Sequence, residues 1–392
     1  MEGQVLTESH ELVGELERQR QRTLRLIAHL SDADVERVVD PIMSPLVWDL
    51  GHIAAYEDLW LNHRFAGEPL LHPELAAFYD AFETPRAVRG SIEILGRGAA
   101  LDYLREVRER VLEATARLGA DPVLHELVLR HEMQHTETMR QCMELGGLLP
   151  GGEPRLRGVG GPDDEFVTIA GGTFALGATG EGFAYDNERP RHAVDLPSFE
   201  IARRPVTNGS WRHFCEGGGY ERREWWSAEG WAWKEEYDIG SHATWTTRPD
   251  DEPVVHVSWF EADAFARSRG ARLPTEAEWE KASTWGQLDA TGLVWEWTSS
   301  HFTGYPGFAA HPYREYSEVF FGDGYRVLRG GSWASHPRVA TATFRNWDLP
   351  ERRQIFSGVR VARGPSSHPR SRCTPTWPQP TSARSPTTCS MA

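Results

Sequence analysis

Arg130-His-Glu-Met-Gln-His-Thr-Glu-Thr-Met-Arg140 puts two imidazoles four residues apart. On a helix, His131 and His135 project from one face a turn apart, the spacing a divalent metal needs from two ligands on one rod. Two histidines are not a site, and a third ligand must come from elsewhere. The upstream run Trp48-Asp-Leu-Gly-His-Ile-Ala-Ala-Tyr-Glu57 offers His52 on another helical stretch. Glu137 stands about 200° around the helix from His135, a poor position for a ligand. Glu132 is one residue off the His131 face, yet His131-Glu-Met-Gln-His135 also permits a reading in which Glu132 is a general base beside the metal.

Working outward, residues 1–146 read as helical. Ser9–Leu30 carries Leu12, Val13, Leu16, Leu24, Ile27 and Leu30 at helical spacing. Ser31 before Asp-Ala-Asp is an N-cap signal, and Pro45–Phe65 and Ala99–Leu118 continue the pattern. Asp121-Pro122 opens a last helix that carries both histidines and runs to Gly146-Gly147. Four amphipathic helices with short links predict an antiparallel four-helix bundle. Residues 147–164, rich in Gly and Pro, read as a linker. Beyond it the periodicity shortens. Phe166–Phe174, Ala193–Phe199 and Tyr325–Leu328 read as strands, and only Trp259–Arg269 and Thr275–Ala282 as helices. Residues 165–363 are therefore expected to form a loop-rich α+β domain, with aromatics anchoring irregular backbone. Residues 364–392, rich in Pro, Ser, Thr and Arg, are expected to be a disordered tail.

Composition narrows the classes. The 392 residues hold 57 acidic and 42 basic side chains, a formal charge of -15, which disfavours a nucleic-acid partner. Without a bilayer-length apolar run or a signal pattern at the start, the expectation is a cytoplasmic protein with no membrane partner. Four scattered cysteines (Cys142, Cys215, Cys373, Cys389) argue against a disulfide scaffold or a cysteine-ligated zinc. Imidazole itself suits zinc, iron, copper and nickel alike.

The pairing of His52 with His131-Glu-Met-Gln-His135-Thr-Glu137 resembles the DinB-like iron-binding bundle of the ergothioneine-pathway sulfoxide synthases, the hercynine oxygenases. The second half is similar to the formylglycine-generating-enzyme (sulfatase-modifying factor) fold, a C-type-lectin-like domain. Its marks are Ile169-Ala-Gly-Gly-Thr-Phe-Ala-Leu-Gly177, Glu188-Arg-Pro-Arg-His192, Pro205-Val-Thr-Asn208, Pro253-Val-Val-His-Val-Ser-Trp259, Arg272-Leu-Pro-Thr-Glu-Ala-Glu-Trp-Glu280, Val294-Trp-Glu-Trp297, Tyr325-Arg-Val-Leu-Arg-Gly-Gly-Ser-Trp333 and Gly358-Val-Arg360. The likeness covers nearly all of residues 10–363. Formylglycine-generating enzymes use a cysteine pair near the end of this fold, but Phe344–Arg360 contains none, which excludes cysteine-based oxidation.

The resemblance implies an iron-dependent oxidoreductase that joins C2 of hercynine to the sulfur of γ-glutamylcysteine or cysteine, using O2. His52, His131 and His135 would hold Fe(II). Gln134 would orient the hercynine imidazole. Asn346 and Trp347 would face its amino-acid portion, where a quaternary ammonium favours an aromatic face. Arg86, Arg89 and Asp348 would clamp the charged groups of the thiol. Tyr313, with Tyr316 as neighbour, would supply the proton that steers the outcome away from simple thiol dioxygenation.

The chain departs from the family after Glu280-Lys-Ala-Ser283. It passes through Thr284-Trp-Gly-Gln-Leu-Asp-Ala-Thr291 to Gly292-Leu-Val-Trp-Glu-Trp297, where relatives carry a few dozen more residues. This shortening argues against the structural calcium of some relatives and against an ordered chain over 283–293. Competing readings are a sister oxygenase (a histidine-cysteine sulfoxide synthase or a selenoneine synthase), a zinc peptidase built on Glu132, and a non-catalytic lectin-like binding module.

Overall fold

In the computed structural model, which describes residues 2–81, 83–151, 156–241 and 248–364, helices build the first half. They are α1 (Glu2–Ile27), α2 (Asp32–Glu36), α3 (Leu46–Glu57), α4 (Pro73–Phe78), α5 (Arg97–Leu118) and α6 (Leu124–Gly146). Ser31 caps α2 in a reciprocal box with Asp34. Asp121 Oδ1 accepts the backbone N–H groups of Val123 and Leu124, both at 2.8 Å, so α6 starts just after Pro122 rather than with it in the first turn. Gly147, at φ +70°, ends it in the left-handed conformation that favours glycine. α3 does not stop at Glu57; it widens into π-helical turns over Asp58–Phe65, a departure that often accompanies functional sites.

α1, α3, α5 and α6 pack as the expected bundle around Leu16, Trp48, Leu50, Val107 and Met133. Its centre also buries charge. Arg20 Nη2 meets Glu57 at 2.7 Å, Arg108 Nη2 meets Glu57 at 3.0 Å, and Arg20 Nε meets Glu132 at 3.0 Å. Thr23 donates to Glu132 at 2.6 Å. Two guanidiniums between two carboxylates satisfy one another, whereas removing one partner would leave an uncompensated buried charge.

The second half is α+β. Its strands are β1 (Phe166–Ile169), β2 (Gly172–Leu176), β3 (His192–Leu196), β4 (Phe199–Ala202), β5 (Trp295–His301), β6 (Arg326–Arg329), β7 (Asn346–Asp348), β8 (Ser357–Gly358) and β9 (Ala362–Arg363). They form sheets in the orders β1-β4-β9, β2-β3 and β7-β6-β5-β8. Each of the two early runs expected as one strand is two, broken by Ala170-Gly171 and by Pro197-Ser198. Besides α9 (Trp259–Ser268) and α10 (Glu276–Thr284), the domain holds α7 (Asn208–Glu216) and α8 (Ala228–Glu236), which the periodicity did not reveal. Both are short and are started by caps: Thr207 accepts from Ser210 N–H, and Ser227 from Gly230 N–H.

Aromatics do anchor the irregular backbone, but buried arginines do as much. Arg345 grips Glu276 with two hydrogen bonds (2.8 and 2.9 Å) and donates to the carbonyls of Asn187 and Thr303. Arg360 does the same with Glu296 (2.6 and 2.7 Å) and the carbonyls of Ala202 and Asp289. Residues 283–293, expected to lack order, are therefore pinned: Asp289 also pairs with Arg203 at 3.1 Å, and Leu293 is buried. Gly364 is described, whereas the rest of the expected tail, 365–392, lies outside the described residues. No helix among the described residues is long and apolar enough to cross a membrane.

Candidate metal centre and cleft

The three histidines come together where α3 meets α6. One ring nitrogen from each of His52, His131 and His135 lies within 4.8 Å of the others, the one such ligand group among the described residues. His52 Nδ1 is 2.6 Å from the Tyr79 carbonyl, which can only accept, so Nδ1 carries the proton and Nε2 keeps its lone pair. His135 is oriented in the same way by Asp49 Oδ1, 2.8 Å from its Nδ1. Such outer partners fix the tautomer of a metal-ligating histidine. The Nε2 atoms of His52 and His131 are 3.1 Å apart. Two nitrogens each about 2.1 Å from one metal and at right angles stand about 3.0 Å apart, so the pair fits a first-row metal. Burial, followed by the neighbouring His135, pushes His52 and His131 well below the usual imidazole range, which favours the neutral form that ligates.

Glu132 points the other way, into the Arg20–Arg108 cluster, so it cannot act on a substrate held at the histidines. Glu137 also turns from them, toward the second domain. It accepts hydrogen bonds from Trp295 Nε1 (2.7 Å), Ser332 Oγ (2.6 Å) and Ser335 Oγ (2.5 Å). Trp295 and Ser332 belong to the Val294–Trp297 and Gly330–Trp333 motifs, so signature residues of the second domain clasp the helix that carries His131 and His135. Glu126 adds a bidentate pair with Arg338 at 2.7 and 2.8 Å.

Between the domains lies a cleft of about 930 Å³, lined by residues that include His52, Gln134, His135, Glu137, Arg86, Arg89, Tyr316, Asn346, Trp347 and Asp348. Gln134 and Tyr316 both line this cleft. Trp347 stacks on Phe302 (4.2 Å between centroids, 7° between planes) and meets Tyr316 edge-on. Asn346 and Trp347 reach the cleft from edge strand β7, whose other side pairs with β6. Asp348 lies 3.7 Å from Arg352, another lining residue. Arg86 and Arg89 share the short turn Arg86–Val88 and its C-cap, but Arg89 is buried, donates to Thr84 and Ala81 carbonyls and Ser44 Oγ, and lies 3.5 Å over the Trp48 ring. Those bonds occupy its guanidinium with holding the loop against α3. Burial, then repulsion from Arg86, pushes Arg89 down to about 9.

Tyr313 and His131 are not in the cleft wall. Both belong to an aromatic layer packed against the histidines, in which Tyr56 stacks on His131 at 3.6 Å and 9° and its hydroxyl is 2.9 Å from that of Tyr313. The sequence pattern does not single out Asp49, Tyr56 or Tyr79. Asp49 and Tyr56 were findable: they stand at i−3 and i+4 from His52 on one helix, hence on its face. Tyr79 contributes through its carbonyl, and no side-chain pattern marks that.

Known proteins share this layout. The DinB superfamily model matches residues 15–144, and the sulfatase-modifying factor enzyme 1-like model matches 157–288 and 281–365. A hercynine oxygenase of Mycolicibacterium smegmatis is 42% identical over 429 aligned positions, covering 90% of this chain and 98% of that protein. This chain belongs to the hercynine oxygenase family. The hercynine oxygenase of Mycobacterium tuberculosis is 41% identical, covering 91% of this chain and 99% of the relative. A formylglycine-generating enzyme of Streptomyces coelicolor matches only 31% of the chain, at 37% identity. Membership makes the chain an oxidoreductase of the hercynine oxygenase type and sets aside both the peptidase and the lectin-like binding module. The 429 aligned positions exceed the chain's own 392 residues, so this chain lacks segments that the relative carries.

Proposed function

We propose that this chain is an iron-dependent sulfoxide synthase that couples hercynine to γ-glutamylcysteine or cysteine with O2. In balanced form, a thiol RSH, the C2–H of the hercynine imidazole and O2 give the C2–S(O)–R sulfoxide and one water. The observation that carries this reading is the trio of histidines whose ring nitrogens converge beside an interdomain cleft that His52 and His135 line. His52, His131 and His135 would hold Fe(II), which when bound supplies the redox-active, Lewis-acidic centre for O2 reduction.

The chain's own residues account for the rest. Gln134, which lines the cleft one residue before His135, would hydrogen-bond an imidazole beside the metal ligands. Trp347 offers an indole to a trimethylammonium group, with Asn346 next to it for a carboxylate. Arg86 and Arg352 present guanidiniums to the cleft, and burial pushes Arg352 down to about 10, with Arg86 adding repulsion. A thiol substrate bearing carboxylates would relieve that repulsion, and Asp348 would meet its ammonium. Arg89 contributes by fixing the loop that carries Arg86. Burial holds the Tyr313 phenol well above its usual range, so it stays protonated and available as a proton donor.

The test is anaerobic reconstitution with Fe(II), followed by O2 uptake and product analysis with hercynine plus each thiol. Arms with histidine in place of hercynine, and with a selenium donor, address the sister oxygenases. Failure to form hercynine-dependent sulfoxide with either thiol overturns the reading.

A further inference from the structure

The proton donor Tyr313 and the metal ligand His131 come from different domains, and one side chain touches both. Tyr56 lies a helical turn beyond His52 on α3, and its ring covers His131 in a near-parallel stack. Its hydroxyl is 2.9 Å from the Tyr313 hydroxyl. Trp60, one more turn along, meets the Tyr56 ring at 6.0 Å and the Tyr313 ring at 4.7 Å. The stripe His52–Tyr56–Trp60 thus forms a seat for Tyr313, and the π-helical turns that begin at Asp58 include its last member.

Tyr313 itself arrives on an irregular stretch of the second domain. Asp186 secures that stretch on both sides of Tyr313, accepting from His311 N–H at 3.3 Å and from Ser317 Oγ. Neither tie fixes where the phenol oxygen points. The Tyr56 hydroxyl does so directly.

We propose that Tyr56 is a positioning residue: it donates its hydroxyl proton to the Tyr313 oxygen, leaving the Tyr313 proton free for the reaction. A phenol oxygen that accepts one hydrogen bond still offers its own O–H. In the opposite arrangement Tyr313 would give its proton to Tyr56 and have none to direct at the oxygen being reduced. This inference rests on the function proposed above. That function has a competing outcome with its own balance, RSH and O2 giving the sulfinic acid RSO2H, which forms no bond to hercynine. A misdirected Tyr313 proton should shift product from sulfoxide to sulfinate, because Tyr313 is the group assigned to separating the two.

Tyr56→Phe keeps the ring stack on His131 and deletes only the hydroxyl. With hercynine and whichever of γ-glutamylcysteine or cysteine supports wild-type turnover, the sulfinate-to-sulfoxide ratio should rise about five-fold, the loss expected of one neutral hydrogen bond. Tyr313→Phe should raise it further, and the double variant should match Tyr313→Phe alone. A second readout needs neither metal nor turnover. With 3-fluorotyrosine at position 313, the fluorine resonance of the metal-free chain should differ between the wild-type background and Tyr56→Phe. An unchanged product ratio in Tyr56→Phe overturns the inference while leaving the functional reading intact. If the wild type makes no sulfoxide, that reading falls, and the Tyr56–Tyr313 link is judged by fluorine alone: an unmoved resonance overturns it.

Discussion

Two buried carboxylates on α6 stand five residues apart and live in opposite worlds. Glu132 sits inside the bundle, between Arg20 and Arg108, with Thr23 completing its shell. Glu137 sits at the domain interface, held by an indole and two hydroxyls. Burial raises the Glu137 carboxyl, and its three donors offset only part of that rise. The first carboxylate is part of what keeps the bundle folded. The second sets how the second domain lies against the helix that carries His131 and His135.

The most forceful way to break the comparison is Glu132→Ala. Stripping one partner from a buried network should lower unfolding stability by about 3–5 kcal/mol. Urea denaturation of the metal-free chain measures this, and a loss below about 1 kcal/mol would mean that the bundle folds without help from Glu132. Acid attacks the same network without mutation. Burial would raise the Glu57 carboxyl, but Arg108 and Arg20 outweigh it and leave it below its ordinary value. Because the folded value lies below the unfolded one, this stability is fully present above about pH 4.5 and is lost as pH falls through the folded value. Melting curves between pH 7 and 3 should fall steeply only at the acid end, and less so in a Glu57→Gln variant.

Smaller effects sharpen the contrast on the metal side. Asp49→Asn removes the anion that orients His135, and metal affinity should fall about 10- to 100-fold with little change in unfolding in the metal-free state. Titration with Co(II) by absorbance checks this; wild-type affinity would mean that Asp49 does not tune the ligand. Glu137→Gln should be the mildest, at about 1 kcal/mol of stability. Its mark should be a raised KM for substrate with metal affinity preserved, since only the domain register is disturbed. A variant that loses metal as readily as Asp49→Asn would erase the distinction between the two carboxylates.

Much of the fold and of the metal centre is legible in the sequence. Helical periodicity placed α1, α3, α5 and α6, and the four-residue spacing of His131 and His135 put them on one face, with His52 as the candidate third ligand. The short strands and capped helices α7 and α8 were harder, because four to nine residues carry too few periods to separate strand from helix. Arg89 shows a different failure. An arginine in a polar loop reads as solvated or substrate-facing, and only the approach of Trp48 and Ser44 makes it a buried brace.

What the sequence determined by itself is therefore local and periodic: the bundle, the aromatic-rich second domain and the histidines able to share a metal. The tertiary structure decided direction and partnership. It sent Glu132 inward to two arginines and Glu137 outward to Trp295, Ser332 and Ser335, although both flank the same histidines. It also brought Tyr56 to Tyr313 across 257 residues. Helix geometry dictates which face a side chain takes, but what waits at that face depends on chain folded from far away, and no local pattern encodes it.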